Sequence, residues 1–140
     1  MKQMKDKAFV DTNIFVYLYS EDEPQKQSCA FAAIELYDCV TSTQVLNELC
    51  NVCLKKLKMT TEIIENAIDE ITEEFDIELI GRNTIKKALS LHKKYHFSYY
   101  DCLILASALA CDCKYILTED LNDGQIIENN LIIRNIFKNM

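Results

Sequence analysis

The stretch Ala8-Phe9-Val10-Asp11-Thr12-Asn13 decides how the chain is read, because three apolar residues run directly into three short polar ones. A second apolar run, Ile14-Phe15-Val16-Tyr17-Leu18, follows at once. A short apolar run bounded by polar residues fits a strand buried on both faces. Asp11 then stands where that strand ends. In open α/β sheets, ligands bind outside the carboxyl ends of the strands. Asp, Thr and Asn are also good helix caps. Asp11 is therefore either a capping residue or the first member of an anionic site.

The pattern outside this stretch alternates strands with helices. Helices are expected over 13–19, 24–37, 44–57, 60–75, 84–95 and 102–110, and strands over 38–41, 76–80 and 114–118. The segment 126–133, with Asn129-Asn130 inside it, reads as one final short strand flanked by turns. Pro24 suits a helix start, where a missing N–H costs nothing. Cys29, Ala32, Ala33 and Leu36 are expected to form the buried stripe of the 24–37 helix. Alternation of this kind predicts a mainly parallel sheet of four to five strands with helices on both faces, a three-layer α/β/α architecture. Two glycines, one proline and the lack of any repeat suggest no linker, so residues 1–140 are expected to form one domain.

Composition removes several function classes. Apolar residues make up 49% and charged residues 26%, ordinary for a globular chain. No apolar run approaches the ~20 residues that span a bilayer, and no signal-peptide pattern follows the basic start, so a cytoplasmic location is expected. Seven scattered cysteines are an odd number and sit in apolar segments, which speaks against a disulfide framework. Cys50-x-x-Cys53 and Cys111-x-Cys113 are better read as buried free thiols than as zinc ligands. There is no glycine-rich phosphate loop, and His92 and His96 read as surface helix residues. A net charge of −7 opposes general affinity for nucleic acid, although the local field at a site matters more. Lys55, Lys56 and Lys58 form one basic group; Lys86, Lys87, Lys93 and Lys94 form another.

Four acids stand where packing does not need them. Asp11 and Asp120 each follow a strand, and parallel strands place both on one sheet edge. Asp101 opens a very apolar helix, and Glu48 lies off the main apolar stripe of its own helix. Each has a plain structural reading; Ser98-x-x-Asp101, for instance, matches a capping box. Together they suit a hard divalent cation, which relieves their mutual repulsion and takes oxygen ligands.

Val10-Asp11-Thr12-Asn13, Asn47-Glu48, Ser98-Tyr99-Tyr100-Asp101-Cys102-Leu103-Ile104-Leu105-Ala106 and Leu117-Thr118-Glu119-Asp120 resemble, in order and spacing, the PIN-domain ribonucleases. The nearest resemblance is to VapC-like toxins of toxin–antitoxin pairs, and it covers essentially the whole chain. It implies a PIN-like fold and Mg2+- or Mn2+-dependent cleavage of single-stranded RNA. It also implies that Asp11, Glu48 and Asp101 bind metal with Asp120 as the fourth acid, for which Glu119 or Asp123 could substitute. Thr12, Asn13, Ser98 and Thr118 would orient carboxylates or the attacking water. An antitoxin partner and homodimerisation are further implications. Basic residues of the two lysine groups, with Arg82 or Arg134, would hold the RNA backbone. A non-catalytic RNA- or protein-binding module is the alternative. A phosphatase with Asp11 as aspartyl nucleophile fits less well, because that motif needs Asp where Asn13 stands.

Overall fold

Strand β1 (Lys7–Val10) lies at the centre of a six-stranded sheet in the computed structural model, which describes residues 4–140. Its Ala8, Phe9 and Val10 are fully buried, as a strand covered on both faces requires. On one side β1 pairs in parallel with β2 (Asp38–Ser42), which pairs in parallel with β3 (Asp76–Glu78). On the other side β1 pairs with β4 (Tyr115–Leu117), and β4 with β6 (Leu131–Arg134), both parallel. With β5 (Ile126–Ile127) at the far edge, the order is β3-β2-β1-β4-β6-β5. The chain thus builds outward from β1 in one direction and then returns to build in the other. The switch point falls between β1 and β4, where an open sheet leaves a crevice.

Among the described residues six helices pack with the sheet: α1 (Thr12–Tyr19), α2 (Pro24–Leu36), α3 (Thr43–Lys55), α4 (Thr61–Glu74), α5 (Arg82–Tyr95) and α6 (Tyr99–Ala110). Local chemistry sets their starts. Ser42 Oγ accepts from Val45 N, Thr60 Oγ1 from Ile63 N, and Ser98 Oγ from Asp101 N. α5 ends at His96, whose φ of 64° is the left-handed stop common at helix ends. α6 buries every side chain from Cys102 to Ala108 and forms part of the central core. All seven cysteines are free, and burial pushes the thiols of Cys39, Cys111 and Cys113 up to about 12. Among the described residues, no helix is long and apolar enough to cross a membrane.

The expected α/β class is found, with two refinements. The sheet has six strands because residues 126–133 form a hairpin, in which β5 returns antiparallel onto β6. Glu128 and Asn129, at φ 54° and 62°, supply the left-handed turn that hairpins favour. The buried stripe of α2 is also rotated. Ala30 and Ala33 face the core, while Ala32 and Leu36 are exposed, Leu36 at 64%. Residues 29–34 are all apolar, so periodicity could not choose a face, and packing against α1 chose it.

Candidate active site at the carboxyl edge of the sheet

Asp11 is both a helix cap and a buried carboxylate. Its backbone N–H donates to Leu117 O at 3.1 Å, continuing the β1–β4 ladder, and its side chain caps α1 by accepting from Thr12 N at 2.7 Å. The other oxygen accepts from Thr118 Oγ1 at 2.7 Å. Only 5% of Asp11 is exposed. Burial raises its pKa to about 6; the Thr118 and Thr12 hydrogen bonds pull it down, and the charges of Glu48 and Asp120 add to the rise.

Glu48 and Asp120 approach Asp11 through intermediaries. Thr12 Oγ1 donates to Glu48 Oε2 at 3.1 Å, so the first residue of α1 links β1 to α3. Gln44, one turn before Glu48 on the same helix, donates to Glu48 Oε1 at 2.9 Å and to Tyr100 O at 3.1 Å. Asn13 Nδ2 donates to Asp120 Oδ2 at 3.0 Å, and Asp120 N donates to Thr118 Oγ1 at 3.2 Å. Thr118 therefore joins the two strand-end acids, donating to one side chain and accepting from the other backbone.

The alternatives to Asp120 are engaged elsewhere. Glu119 accepts from Tyr17 OH at 2.5 Å and lies 2.6 Å from Lys26 Nζ. Asp123 accepts from Asn135 N at 2.8 Å and pairs with Lys138 at 3.5 Å.

Asp101 stands in the first turn of α6, half-buried, held by the Ser98 cap. Gln44 ties that turn to α3, yet among the described residues no side chain bridges the Asp101 carboxylate to the other acids. Nor do any three His, Cys, Asp or Glu side chains among them converge into a group that holds a metal ion. The donor set itself is all oxygen, as a hard cation requires. Asn13 Oδ1, on the residue that holds Asp120, is buried and has no hydrogen-bond partner among the described residues. An unpaired buried acceptor beside carboxylates fits a cation or its bound water.

Basic residues contribute unevenly. Lys87 and Lys94 reach Glu128 at 3.7 and 3.2 Å, so half of the second lysine group is paired. Arg134 is turned to the amino end of the sheet: its guanidinium lies 4.0 Å from the Tyr115 ring centroid and donates to Tyr37 OH at 2.6 Å. Its guanidinium is thus already engaged, where Arg82 or Arg134 was expected to hold the RNA backbone. Lys55, Lys56, Lys58 and Arg82 are exposed.

Sequence reasoning missed Gln44 and the Tyr17–Lys26–Glu119 network. The four-residue spacing of Gln44 and Glu48 on one helix was the available signal for the first; nothing local announced the second.

Residues 8–123 match the family model described as PIN domain. The chain belongs to the PIN-domain family. Among curated proteins, none matches the sequence significantly. Among solved structures, this PIN domain resembles a toxin–antitoxin complex from Klebsiella pneumoniae, with a TM-score of 0.71 and 20% identity over 93% of this chain and 98% of that one. It also resembles VapBC2 from Rickettsia felis bound to a promoter DNA fragment (TM-score 0.63, 20% identity, 92% and 98% covered). A third is the sarcin–ricin-loop-cleaving toxin VapC20 of Mycobacterium tuberculosis (TM-score 0.61, 17% identity, 78% and 86% covered). At such identities the likeness is one of fold.

Proposed function

We propose that this PIN-domain chain is a metal-dependent endoribonuclease that hydrolyses single-stranded RNA and serves as the toxin of a toxin–antitoxin pair. The observation that carries the reading is Asp11: a carboxylate buried at the sheet's switch point, with Glu48 and Asp120 close enough to raise its pKa. The cap on α1 does not need a buried charge with two more acids near it, and that part of the arrangement costs stability unless a ligand offsets it.

Asp11, Glu48, Asp101 and Asp120 are the residues that would hold Mg2+ or Mn2+. When bound, the ion supplies an electrophile for the phosphodiester and lowers the pKa of water. The chain's own groups prepare the site. Thr118 and Thr12 hold the Asp11 and Glu48 carboxylates in fixed orientations, and Asn13 does the same for Asp120. Asp11 must lose its proton before it can bind a cation. Ser98 fixes the helical turn that carries Asp101. Lys55, Lys56, Lys58 and Arg82 are free to take the RNA backbone, which makes affinity fall with salt. A cytoplasmic setting, an antitoxin partner and a homodimer belong to the same reading. The toxin–antitoxin complexes among the structural neighbours support the partner.

The test is cleavage of a labelled panel of single-stranded and structured RNAs with Mg2+, with Mn2+ and with chelator, beside Asp11→Asn and Asp101→Asn proteins. Metal-dependent cleavage lost in both variants is the expected result. Cleavage that survives both substitutions places the chemistry elsewhere. A folded protein that binds RNA and cuts none of it is instead a non-catalytic binding module.

A further inference from the structure

Beside the acids lies an open surface depression of about 520 Å³ lined by Gln44, Asn47, Glu48 and Tyr100. We propose that it is a nucleobase subsite, in which Tyr100 stacks on a base next to the scissile phosphate and the Asn47 amide meets that base's edge. This rests on the ribonuclease reading and extends it to substrate selection.

Tyr100 is 67% exposed, unusual for an aromatic side chain on a helix whose next eight residues are almost all buried. Its ring packs edge-on against Tyr99 at 5.4 Å and 71°, and Gln44 donates to its backbone carbonyl. The exposed face is open to a flat partner that stacks on it.

The remaining walls select what that partner is. Glu48 is both a wall of the depression and one of the acids, so a phosphate would be repelled there while a neutral ring would not. Gln44 spends its N–H groups on Glu48 and Tyr100 and so serves as a strut. Asn47 is exposed and donates once, to Thr43 O at 3.0 Å, leaving its carbonyl oxygen and second N–H for a ligand. An aromatic face, the Asn47 amide, the Gln44 Oε1 left unpartnered among the described residues and a neighbouring metal-type site match the needs of a splayed-out base in a single strand.

The chain contains no tryptophan, so Tyr100→Trp introduces the only indole and reports on stacking directly. The variant is titrated with short single-stranded RNA in Ca2+, which holds off cleavage, and with the same strand carrying an abasic site at each position in turn. Phe31→Trp on α2 is the control. Strong quenching of the Tyr100→Trp protein by the intact strand, lost for one abasic position and absent in the Phe31→Trp protein, is the expected result. Tyr100→Ala should weaken binding by roughly 5- to 150-fold, with Tyr100→Phe near wild type and unchanged melting temperatures. Wild-type affinity in Tyr100→Ala, with no quenching in Tyr100→Trp, overturns the subsite and leaves the ribonuclease reading standing. Failure of the wild-type protein to bind any RNA overturns both. Indole emission of Tyr100→Trp that changes with protein concentration alone, together with a dimer that Tyr100→Ala dissolves, assigns the ring to a self-interface and overturns the subsite.

Discussion

Lys26 Nζ lies 2.6 Å from Glu119 Oε2, and this pair holds aside the carboxylate that immediately precedes Asp120. Tyr17 completes the clamp: its hydroxyl donates to Glu119 and accepts from Lys26 at 3.0 Å. Hydrogen bonds to Glu119 and then to Tyr17 push the Lys26 ammonium above its ordinary value, so it stays charged at any working pH. The clamp joins α1 and α2 to the loop after β4, the loop that carries Asp120 towards Asn13.

Lys26→Met should therefore lower the melting temperature and tighten Mn2+ binding, because a positive charge is lost and the Glu119 carboxylate is released next to Asp120. Adding Glu119→Gln should bring the affinity back towards wild type while leaving the melting temperature low. Calorimetric titration of the single and double variants checks this. Equal Mn2+ affinity in wild type and Lys26→Met would show that the clamp only holds the fold together.

The raised pKa of Asp11 makes stability depend on pH. The unfolded chain ionises Asp11 near 3.8 and the folded chain at about 6, so between those values the folded state binds more protons. Stability from this group is complete below the unfolded value and is lost as pH rises through about 6. The loss is on the order of 2–3 kcal/mol. Asp11→Asn should accordingly be more stable than wild type at neutral pH and show little gain near the unfolded value of 3.8. Denaturant melts at the two pH values measure it.

A divalent cation should reverse that penalty. Saturating Mg2+ or Mn2+ at neutral pH is expected to raise the wild-type melting temperature, by about 2.7 kcal/mol of stabilisation at a hundredfold excess over Kd. Asp11→Asn should show no such rise. An identical rise in both proteins would place the bound cation outside this site.

Thr118→Val keeps the side chain's shape and removes one hydroxyl. That hydroxyl donates to Asp11 at 2.7 Å and accepts from Asp120 N at 3.2 Å. Loss of such an orienting partner typically weakens metal affinity or activity about 10- to 100-fold. The Asp11 pKa, followed by NMR, should move further up, since the Thr118 bond is the largest influence holding it down.

The sequence by itself determined the layers and the edge. Apolar Ala8–Val10 running into Asp11 fits a buried strand with an acid at its carboxyl end, and helical spacing in 44–57, 60–75 and 84–95 is strong enough to read without neighbours. Asp11, Asp101 and Asp120 stand out in the same way, because strand ends and helix starts are local features; Glu48 stands out only as an acid off the apolar stripe of its helix, and the metal-binding role of all four rests on the family resemblance. Relations between distant residues were not legible. Glu119, Asp120 and Asp123 stand close together in the chain, and only Lys26 and Asn135, brought in by packing, separate their roles. The all-apolar stretch 29–34 offered no preferred face until α1 was laid against it. Two left-handed residues, Glu128 and Asn129, turned one expected strand into a hairpin. Periodicity reports which side of an element is apolar; which side chain reaches which depends on contacts between residues as much as 107 positions apart, as in Thr118 and Asp11.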